Sequence, residues 1–156
     1  MFREKRKLVQ AQIVLPMTHA SGNQLEHNTR TNTVYRTGNY KEYQNYVAST
    51  LEELADEVGW SVPRGIPLGV KLMFTYKVPQ SLIDTKKKYH LFSDGQLYPI
   101  TRGTKDLDNS AKCVGDALQM AFDFDDSQFV LSQLAKNYGE QNELYVEINE
   151  VENVRI

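Results

Sequence analysis

The residues best suited to chemistry lie in the stretch 105–136, which contains six of the twenty acidic residues of the chain. Asp106 and Asp108 are two residues apart, so in an extended segment both side chains leave the backbone on the same side. Asp125 and Asp126 follow further along the stretch. If Asp106, Asp108 and one of that later pair meet at separations of ~5 Å, each pair repels by roughly 3 kcal/mol at an effective dielectric constant near 20. A cation or a proton must then lie among them.

Carboxylate oxygens without histidine or cysteine ligands favour a hard divalent cation, Mg²⁺ or Mn²⁺, over zinc. Such an ion can activate water and stabilise the charge that develops on a phosphate group. A calcium loop is excluded, because the sixth position from Asp106 is Ala111 rather than glycine and the twelfth is Ala117 rather than glutamate. His19, His27 and His90 are scattered along the chain, and we expect them to be ordinary surface or loop histidines.

A helix must position the central part of this stretch. Asp108-Asn109 is typical of a helix start, and the helix is predicted to continue to about Met120. Four-residue steps place Asp108, Lys112 and Asp116 on one face of it. For Asp116, an ion pair with Lys112 and a catalytic role are both open. The opposite face carries an apolar stripe, Ala111, Val114, Leu118 and Ala121.

Hydrophobic periodicity and turn residues predict the remaining elements. They are strands over 8–15, 70–78, 128–136 and 144–151, and a first helix over 40–58 that ends at Gly59. Residues 17–39 and 80–104 are expected to be loops. The order of the elements predicts an α/β (α+β) fold, with a mixed β-sheet covered by two main helices.

Length and composition indicate one domain over residues 1–156, in which residues 1–7 form a mobile basic tail. The single cysteine, Cys113, allows no intrachain disulfide, and we expect it to be a small buried side chain. No apolar run approaches the length needed to span a membrane. We therefore expect a cytoplasmic protein with no membrane partner and no small-molecule substrate.

Charge is distributed unevenly along the chain. Residues 1–105 carry fifteen basic and nine acidic residues, and residues 106–156 carry three and eleven. An acidic centre beside basic flanks suits a metal-dependent enzyme that acts on a polyanion, although two oppositely charged solvated faces would give the same counts. The candidate DNA contacts are Arg30, Arg36, Lys41, Lys86, Lys87, Lys88, Arg102 and Lys105.

Three motifs together resemble the RusA-type Holliday junction resolvases. They are Asp-Leu-Asp-Asn-x-x-Lys at 106–112, Asp-Ala-Leu at 116–118 and Asp-Asp-Ser-Gln at 125–128, followed by a strand that ends in Lys136. The resemblance implies a small homodimeric endonuclease, associated with phage or prophage, that binds four-way DNA junctions. It further implies that the enzyme cuts two opposed strands with Mg²⁺ or Mn²⁺.

By matching position, the resemblance implies that Asp106, Asp108 and Asp126 bind the metal and that Lys112 is the catalytic lysine. Asp125 would be a secondary neighbour. The chain departs from the family pattern at Ser110, where an apolar residue is usual, and in the less basic segment 24–26.

The sequence leaves two questions open. A metal-dependent nuclease of other branched or duplex DNA would carry similar motifs. An inactive junction-binding protein is a further alternative, and the intact Asp106, Asp108, Lys112 and Asp126 argue against it. A helix over 109–121 would be ~18 Å long, and the five residues that return to Asp126 span about 17 Å when extended. The metal site could therefore close within one subunit or across a dimer.

Overall fold

The computed structural model describes residues 1–21, 25–36, 38–101 and 103–155, with the backbone alone for 25–27, 35 and 36. The strands are β1 (Phe2–Val14), β2 (Leu25–Asn28), β3 (Thr33–Arg36), β4 (Leu68–Lys77), β5 (Phe129–Gly139) and β6 (Glu143–Asn153). The helices are α1 (Tyr40–Val58), α2 (Lys86–Ser93) and α3 (Leu107–Ala121). Two 3-10 turns, Gln80–Leu82 and Asp126–Gln128, complete the described elements.

Four strands form a mixed sheet in the order β1-β6-β4-β5. β6 is antiparallel to both β1 and β4, whereas β5 is parallel to β4. Parallel neighbours require a crossover connection, and the segment that contains α2 and α3 provides it. The prediction of a mixed α+β sheet is confirmed. Among the described residues, the short helix α2 is present in addition to the two main helices α1 and α3, and β2 and β3 form a separate hairpin.

The core lies between the sheet and the helices α1 and α3. Strict alternation in β4 places Val70, Leu72, Phe74 and Tyr76 in this core. Val47 and Leu51 of α1 and Val114 and Leu118 of α3 pack in the same core, as the predicted helical stripes require. Each fully buried side chain of this size contributes about 1.5–3 kcal/mol.

Helix α1 has the predicted bounds, and local signals explain why. Gly59 follows the last helical residue with φ 84°, in the left-handed region, and its amide donates to the Ala55 carbonyl at 2.7 Å. This arrangement is typical of a helix end. Val58, the last residue of the helix, is 60% exposed, whereas Val47 and Leu51 are fully buried.

The mobile basic tail predicted for residues 1–7 is wrong. Residues from Phe2 onward belong to β1 and pair with the end of β6, starting with Phe2 opposite Asn153. Arg3 Nε lies 2.6 Å from Glu152 and Arg6 Nε lies 2.7 Å from Glu150. The basic residues are therefore strand residues whose charges are matched on the neighbouring strand.

Both predicted loops contain regular structure. In 17–39, the turn between β2 and β3 is closed by Asn28, whose side chain accepts from the Arg30 amide at 3.0 Å. In 80–104, Thr85 caps α2 by accepting from the Lys88 amide at 3.2 Å. The lysine triplet therefore forms the first turn of a helix rather than part of a loop. Residues 22–24 of the first segment lie outside the described residues.

His19 lies in the loop after β1, one of the two expected settings, but it is not a surface histidine. Its side chain is fully buried, and its ring lies against Tyr43, Phe74 and Tyr76. Nε2 lies 2.9 Å from the Thr75 carbonyl, to which it must donate, so Nδ1 accepts from the Tyr43 hydroxyl at 2.8 Å. Burial lowers the pKa of His19 to about 4.

The other two histidines lie elsewhere. His90 is exposed on α2, as expected for an ordinary surface histidine, and the side chain of His27 lies outside the described residues. Among the described residues, no helix is long and apolar enough to cross a lipid bilayer.

Candidate active site

An open cavity of about 310 Å³ lies between α3 and the sheet. Its apolar side comes from strands β4 and β5, through Val70, Leu72 and Leu134. Its polar side carries three carboxylates and one ammonium group. They belong to Asp108, Lys112, Asp116 and Asp126.

Helix α3 supplies three of these four polar groups. Asp108, Lys112 and Asp116 follow one another at four-residue steps, and the structure places all three on the cavity, as the spacing predicts. Asp108 lies in the first turn, where a negative side chain interacts favourably with the free backbone amides of the helix end. The buried face of α3 anchors this row of polar groups against the core.

Asp126 reaches the cavity through a short capped turn. The Asp125 carboxylate accepts from the Ser127 amide at 2.9 Å, and the Gln128 side chain accepts from the Asp125 amide at 3.1 Å. Gln128 Nε2 also donates to the carbonyls of Pro63 and Ile66 at 3.0 and 3.1 Å. The reciprocal cap therefore fixes the turn that presents Asp126.

Asp125 has a structural role in this turn. The Asp125 carboxylate accepts a hydrogen bond from the Ser127 amide, and this hydrogen bond lowers the pKa of Asp125 below the usual range. The nearby Arg64 lowers this pKa further. Asp125 does not line the cavity, and its secondary role at the metal site stays a prediction. Because Asp108 and Asp126 of one chain border the same cavity, the return from α3 is short enough for the two to share a cavity within one subunit.

Asp106 is placed differently from the sequence prediction. Helix α3 begins at Leu107, so Asp106 rather than Asp108 is the N-cap residue. Its side chain does not cap the backbone, and Asn109 Nδ2 lies 3.4 Å from it. Asp106 is exposed immediately before the helix and does not line the cavity.

The predicted metal ligands are only partly brought together. Asp108 and Asp126 share the cavity with Asp116, whereas Asp106 lies outside its lining. Within the described ranges, no three histidine, cysteine, aspartate or glutamate side chains converge closely enough to hold an ion as they stand. The donor chemistry around the cavity is all oxygen, which suits Mg²⁺ or Mn²⁺. The ligand assignment stays a prediction.

Lys112 and Asp116 do not form the ion pair that was one alternative for Asp116. The Asp116 carboxylate instead accepts from the Tyr40 hydroxyl at 2.8 Å. Lys112 is exposed, and it makes no salt bridge within 4.0 Å to any acidic group in the described part of the chain. Its ammonium group therefore faces the cavity without a fixed protein counter-ion.

The candidate DNA contacts are distributed over several elements. Arg30 lies exposed in the β2–β3 turn and Lys41 at the start of α1. Lys86, Lys87 and Lys88 form the first turn of α2, where Lys88 also pairs with Asp84 at 3.0 Å. Arg102 and the side chain of Arg36 lie outside the described residues.

The segment before α3 is held by two residues that sequence reasoning missed. The amide of Lys105 donates to the Tyr76 hydroxyl at 3.0 Å. The ammonium group of Lys136 lies 3.3 Å from the Lys105 carbonyl and 3.2 Å from the Thr104 hydroxyl. Alternation along β5 could have indicated this, because it places Lys136 on the same face as Ser132 and Leu134, which line the cavity.

The mixed sheet therefore carries, beside α3, one cavity lined by three carboxylates and a lysine. Residues 16–149 match the sequence profile of the endodeoxyribonuclease RusA family. The chain therefore belongs to the RusA endodeoxyribonuclease family, and the resemblance seen in its motifs is confirmed.

The chain also has a relative of similar length in Bacillus subtilis. The chain is 32% identical over 111 residues to the uncharacterized protein YqaN of Bacillus subtilis strain 168. The alignment covers 71% of this chain and 74% of that protein.

Proposed function

We propose that this protein is a Mg²⁺- or Mn²⁺-dependent endonuclease that resolves four-way DNA junctions by paired symmetric cuts, in recombination and repair, and that it is encoded by a phage or prophage. The observation that supports this most directly is the cavity that Asp108, Lys112 and Asp126 share in a chain of the RusA family.

Asp108 and Asp126 would hold the divalent ion at the cavity, with Asp106 as a further ligand from the start of α3. When bound, the ion would polarise the scissile phosphate and lower the pKa of a coordinated water. Lys112 carries the one ammonium group in the lining of this cavity. It would donate to the phosphate oxygens as negative charge develops on them, or to the leaving oxygen.

Asp116 would keep this end of the cavity ordered. Its carboxylate is fixed by the hydroxyl of Tyr40, a buried residue of α1. Helix α1 therefore contacts the site through the Tyr40–Asp116 hydrogen bond and the core through its apolar side chains. A shift of α1 against α3 would disturb the site and the core together.

Paired cutting needs two sites in one complex. A four-way junction has approximate two-fold symmetry, and a two-fold dimer of this chain would place one cavity at each of two equivalent strands. We therefore propose a homodimer bound to branched DNA as the active form.

The decisive experiment compares Asp126→Asn with the native chain on a synthetic mobile junction, a flap and a linear duplex, each with Mg²⁺. Native protein should place symmetric nicks in the junction alone. Asp126→Asn should bind the junction normally and cut it at least about 100-fold more slowly, because it loses a charged group of the site.

A matched control is Asp123→Asn, since Asp123 is exposed and pairs with Arg64 outside the cavity. It should cut like the native chain. Equal cutting of all three substrates by native protein would instead indicate a general nuclease. Junction binding without any cutting would indicate an inactive binding module.

A further inference from the structure

The backbone of Lys105, the residue before Asp106, is held at both its amide and its carbonyl by side chains of the sheet. The Lys105 amide donates to the Tyr76 hydroxyl at 3.0 Å, and the Lys105 carbonyl accepts from Lys136 Nζ at 3.3 Å. Lys136 Nζ also lies 3.2 Å from the Thr104 hydroxyl. We call Tyr76, Lys136, the Thr104 hydroxyl and the Lys105 backbone the Lys105 clamp.

The clamp and the cavity are built on the same two strands. Tyr76 is on β4 and Lys136 on β5, and these strands are parallel neighbours in which Lys136 lies opposite Phe74. Alternation puts Lys136 on the face of Leu134, which lines the cavity, and Tyr76 on the face of Leu72, which also lines it. Tyr76 and Lys136 themselves do not line the cavity. They therefore act on the site through the segment that they hold.

The environment of Lys136 indicates a specific role for its charge. The side chain is half-buried, and within the described residues no carboxylate lies within 4.0 Å of its ammonium group. Its partners are neutral oxygens of Thr104 and Lys105. Partial burial of a charge without an acidic partner costs free energy, and hydrogen bonds such as these two offset part of that cost.

The other members of the clamp are also well fixed. The Tyr76 side chain is 4% exposed. Burial raises the pKa of Tyr76, and the Lys105 amide partly offsets this. The Ser110 hydroxyl also lowers the pKa of Tyr76, but it forms no hydrogen bond of normal geometry. The hydrogen bond from the Lys105 amide therefore defines the position of the Tyr76 hydroxyl. The Thr104 hydroxyl lies 2.8 Å from the carbonyls of both Pro99 and Thr101.

We propose that Tyr76 and Lys136 are positioning residues that orient Asp106 and Asp108 through the backbone of Lys105 and thereby set the affinity of the site for its divalent cation. This inference rests on the proposed function. Carboxylates that bind metal depend on the groups that orient them, and loss of such a group typically costs about 10- to 100-fold in metal affinity or activity.

The test is Lys136→Met, which keeps the apolar stem and removes the ammonium group. The Mn²⁺ dissociation constant is measured without DNA from the electron paramagnetic resonance signal of free Mn²⁺, and it should rise about 10- to 100-fold. Single-turnover junction cutting should slow at limiting Mn²⁺ and recover at saturating Mn²⁺, with the junction dissociation constant unchanged. Lys136→Arg should restore most of the Mn²⁺ affinity, because a guanidinium group can reach the same oxygens.

Two further variants separate positioning from a loss of fold. Lys71→Met removes a lysine from β4 on the opposite face, where it pairs with Glu147 at 3.3 Å, and it should leave Mn²⁺ affinity unchanged. Tyr76→Phe keeps the ring in the core and removes the acceptor of the Lys105 amide. Hydrogen exchange at that amide should become faster, and Mn²⁺ affinity should fall.

Normal Mn²⁺ affinity in both folded Lys136→Met and Tyr76→Phe would overturn the clamp, even if the native chain resolves junctions. If the clamp variants lose Mn²⁺ affinity while native protein cuts no junction, the proposed function fails and the clamp stands. If native protein binds no Mn²⁺, the clamp inference is overturned.

Discussion

His19 joins three parts of the fold through one imidazole ring. Its ring nitrogens contact the Tyr43 hydroxyl on α1 and the Thr75 carbonyl on β4. Nε2 already carries a proton, and a proton on Nδ1 would end its hydrogen bond from the Tyr43 hydroxyl, in a site that is closed to water. The folded chain therefore keeps His19 neutral, and protonation must oppose folding.

This predicts a specific loss of stability in mild acid. The unfolded chain takes up the proton near pH 6.5, whereas folded His19 does so only near pH 4. The free energy of unfolding should therefore be unaffected by His19 above pH 6.5 and should fall by about 3 kcal/mol between pH 6.5 and about 4. Urea unfolding at a series of pH values measures this directly.

Two variants serve as controls for the His19 effect. His19→Gln should be less stable than native protein at pH 7 but should lack this slope between pH 6.5 and 4. His90→Gln, at an exposed site on α2, should retain it. A native chain with constant stability over that range would contradict the buried hydrogen-bonded histidine.

Lys112 and Lys87 should differ in the kinetic constant that they affect. Lys112→Met should reduce the single-turnover rate of junction cutting by about 10²- to 10³-fold, because it removes a donor to the developing negative charge. Lys87 is exposed on α2 and does not line the cavity. Lys87→Met should weaken junction binding and lower the slope of log K against log salt concentration by about one. The cutting rate at saturating protein should stay unchanged.

At the scale of elements, the structure explains which predictions could succeed. The bounds of α1 follow from local signals, its apolar stripe and Gly59, and the polar face of α3 follows from four-residue spacing. Helix α2 has no buried residue, so its sequence carries no apolar stripe to find. The first half of β1 is a charged, mostly basic run without alternating apolar residues, and its partner strand lies at the other end of the sequence.

For the candidate site too, the sequence predicts what depends on local geometry and not what depends on distant contacts. Asp108, Lys112 and Asp116 could be placed on one face because helix geometry is local. The partner of Asp116 is Tyr40, 76 residues earlier, and the partner of the Lys105 carbonyl is Lys136, 31 residues later. Contacts at such separations depend on tertiary packing, which residue spacing along the chain does not encode.

Two glycine substitutions test the left-handed backbone at the end of α1 and the helical backbone within α3. An alanine Cβ at Gly59 would meet no atom within 4 Å, so the cost of Gly59→Ala comes from the left-handed backbone, φ 84°, alone. We expect a loss of about 1–2 kcal/mol in the free energy of unfolding. Gly115→Ala lies within α3, also with nothing within 4 Å, and should instead add about 0.5–1 kcal/mol. Chemical denaturation of both variants measures the difference, and equal effects would contradict the assigned geometries.

At the scale of the whole molecule, folding cancels part of the charge asymmetry of the sequence. Acidic residues of β6 lie opposite basic residues of β1, and Glu147 lies within 4.0 Å of both Lys7 and Lys71. The excess of acidic residues in the second part of the chain therefore does not form one acidic face. The acidic groups that border the cavity remain outside this pairing.

Glu147 is the strongest point of that pairing. Burial alone would raise its pKa, but hydrogen bonds from Tyr145 and Asn149 and the ammonium group of Lys71 lower it to about 2. The contribution of ionised Glu147 to the free energy of unfolding is present above pH 4.5 and is lost as the pH falls toward 2. Glu147→Gln should lower the free energy of unfolding at pH 7 by about 2–3 kcal/mol and flatten the acid dependence below pH 4.5.

Glu152→Gln is the matched control, because Glu152 pairs with Arg3 at a more exposed position. Its effect should be within about 1 kcal/mol, as is usual for exposed ion pairs. Denaturant unfolding of both variants at pH 7 and pH 3 measures the contrast. Equal losses in the two variants would show that burial of Glu147 adds nothing.

The strand order also bears on when the protein can fold during its synthesis. β6 is made last, yet it lies between β1 and β4 in the sheet. Until it leaves the ribosome, β1 has no hydrogen-bonding neighbour and the basic side chains of its first half have no acidic partners. We therefore expect the nascent chain to gain protease resistance in one late step, after residues 143–153 emerge, rather than gradually.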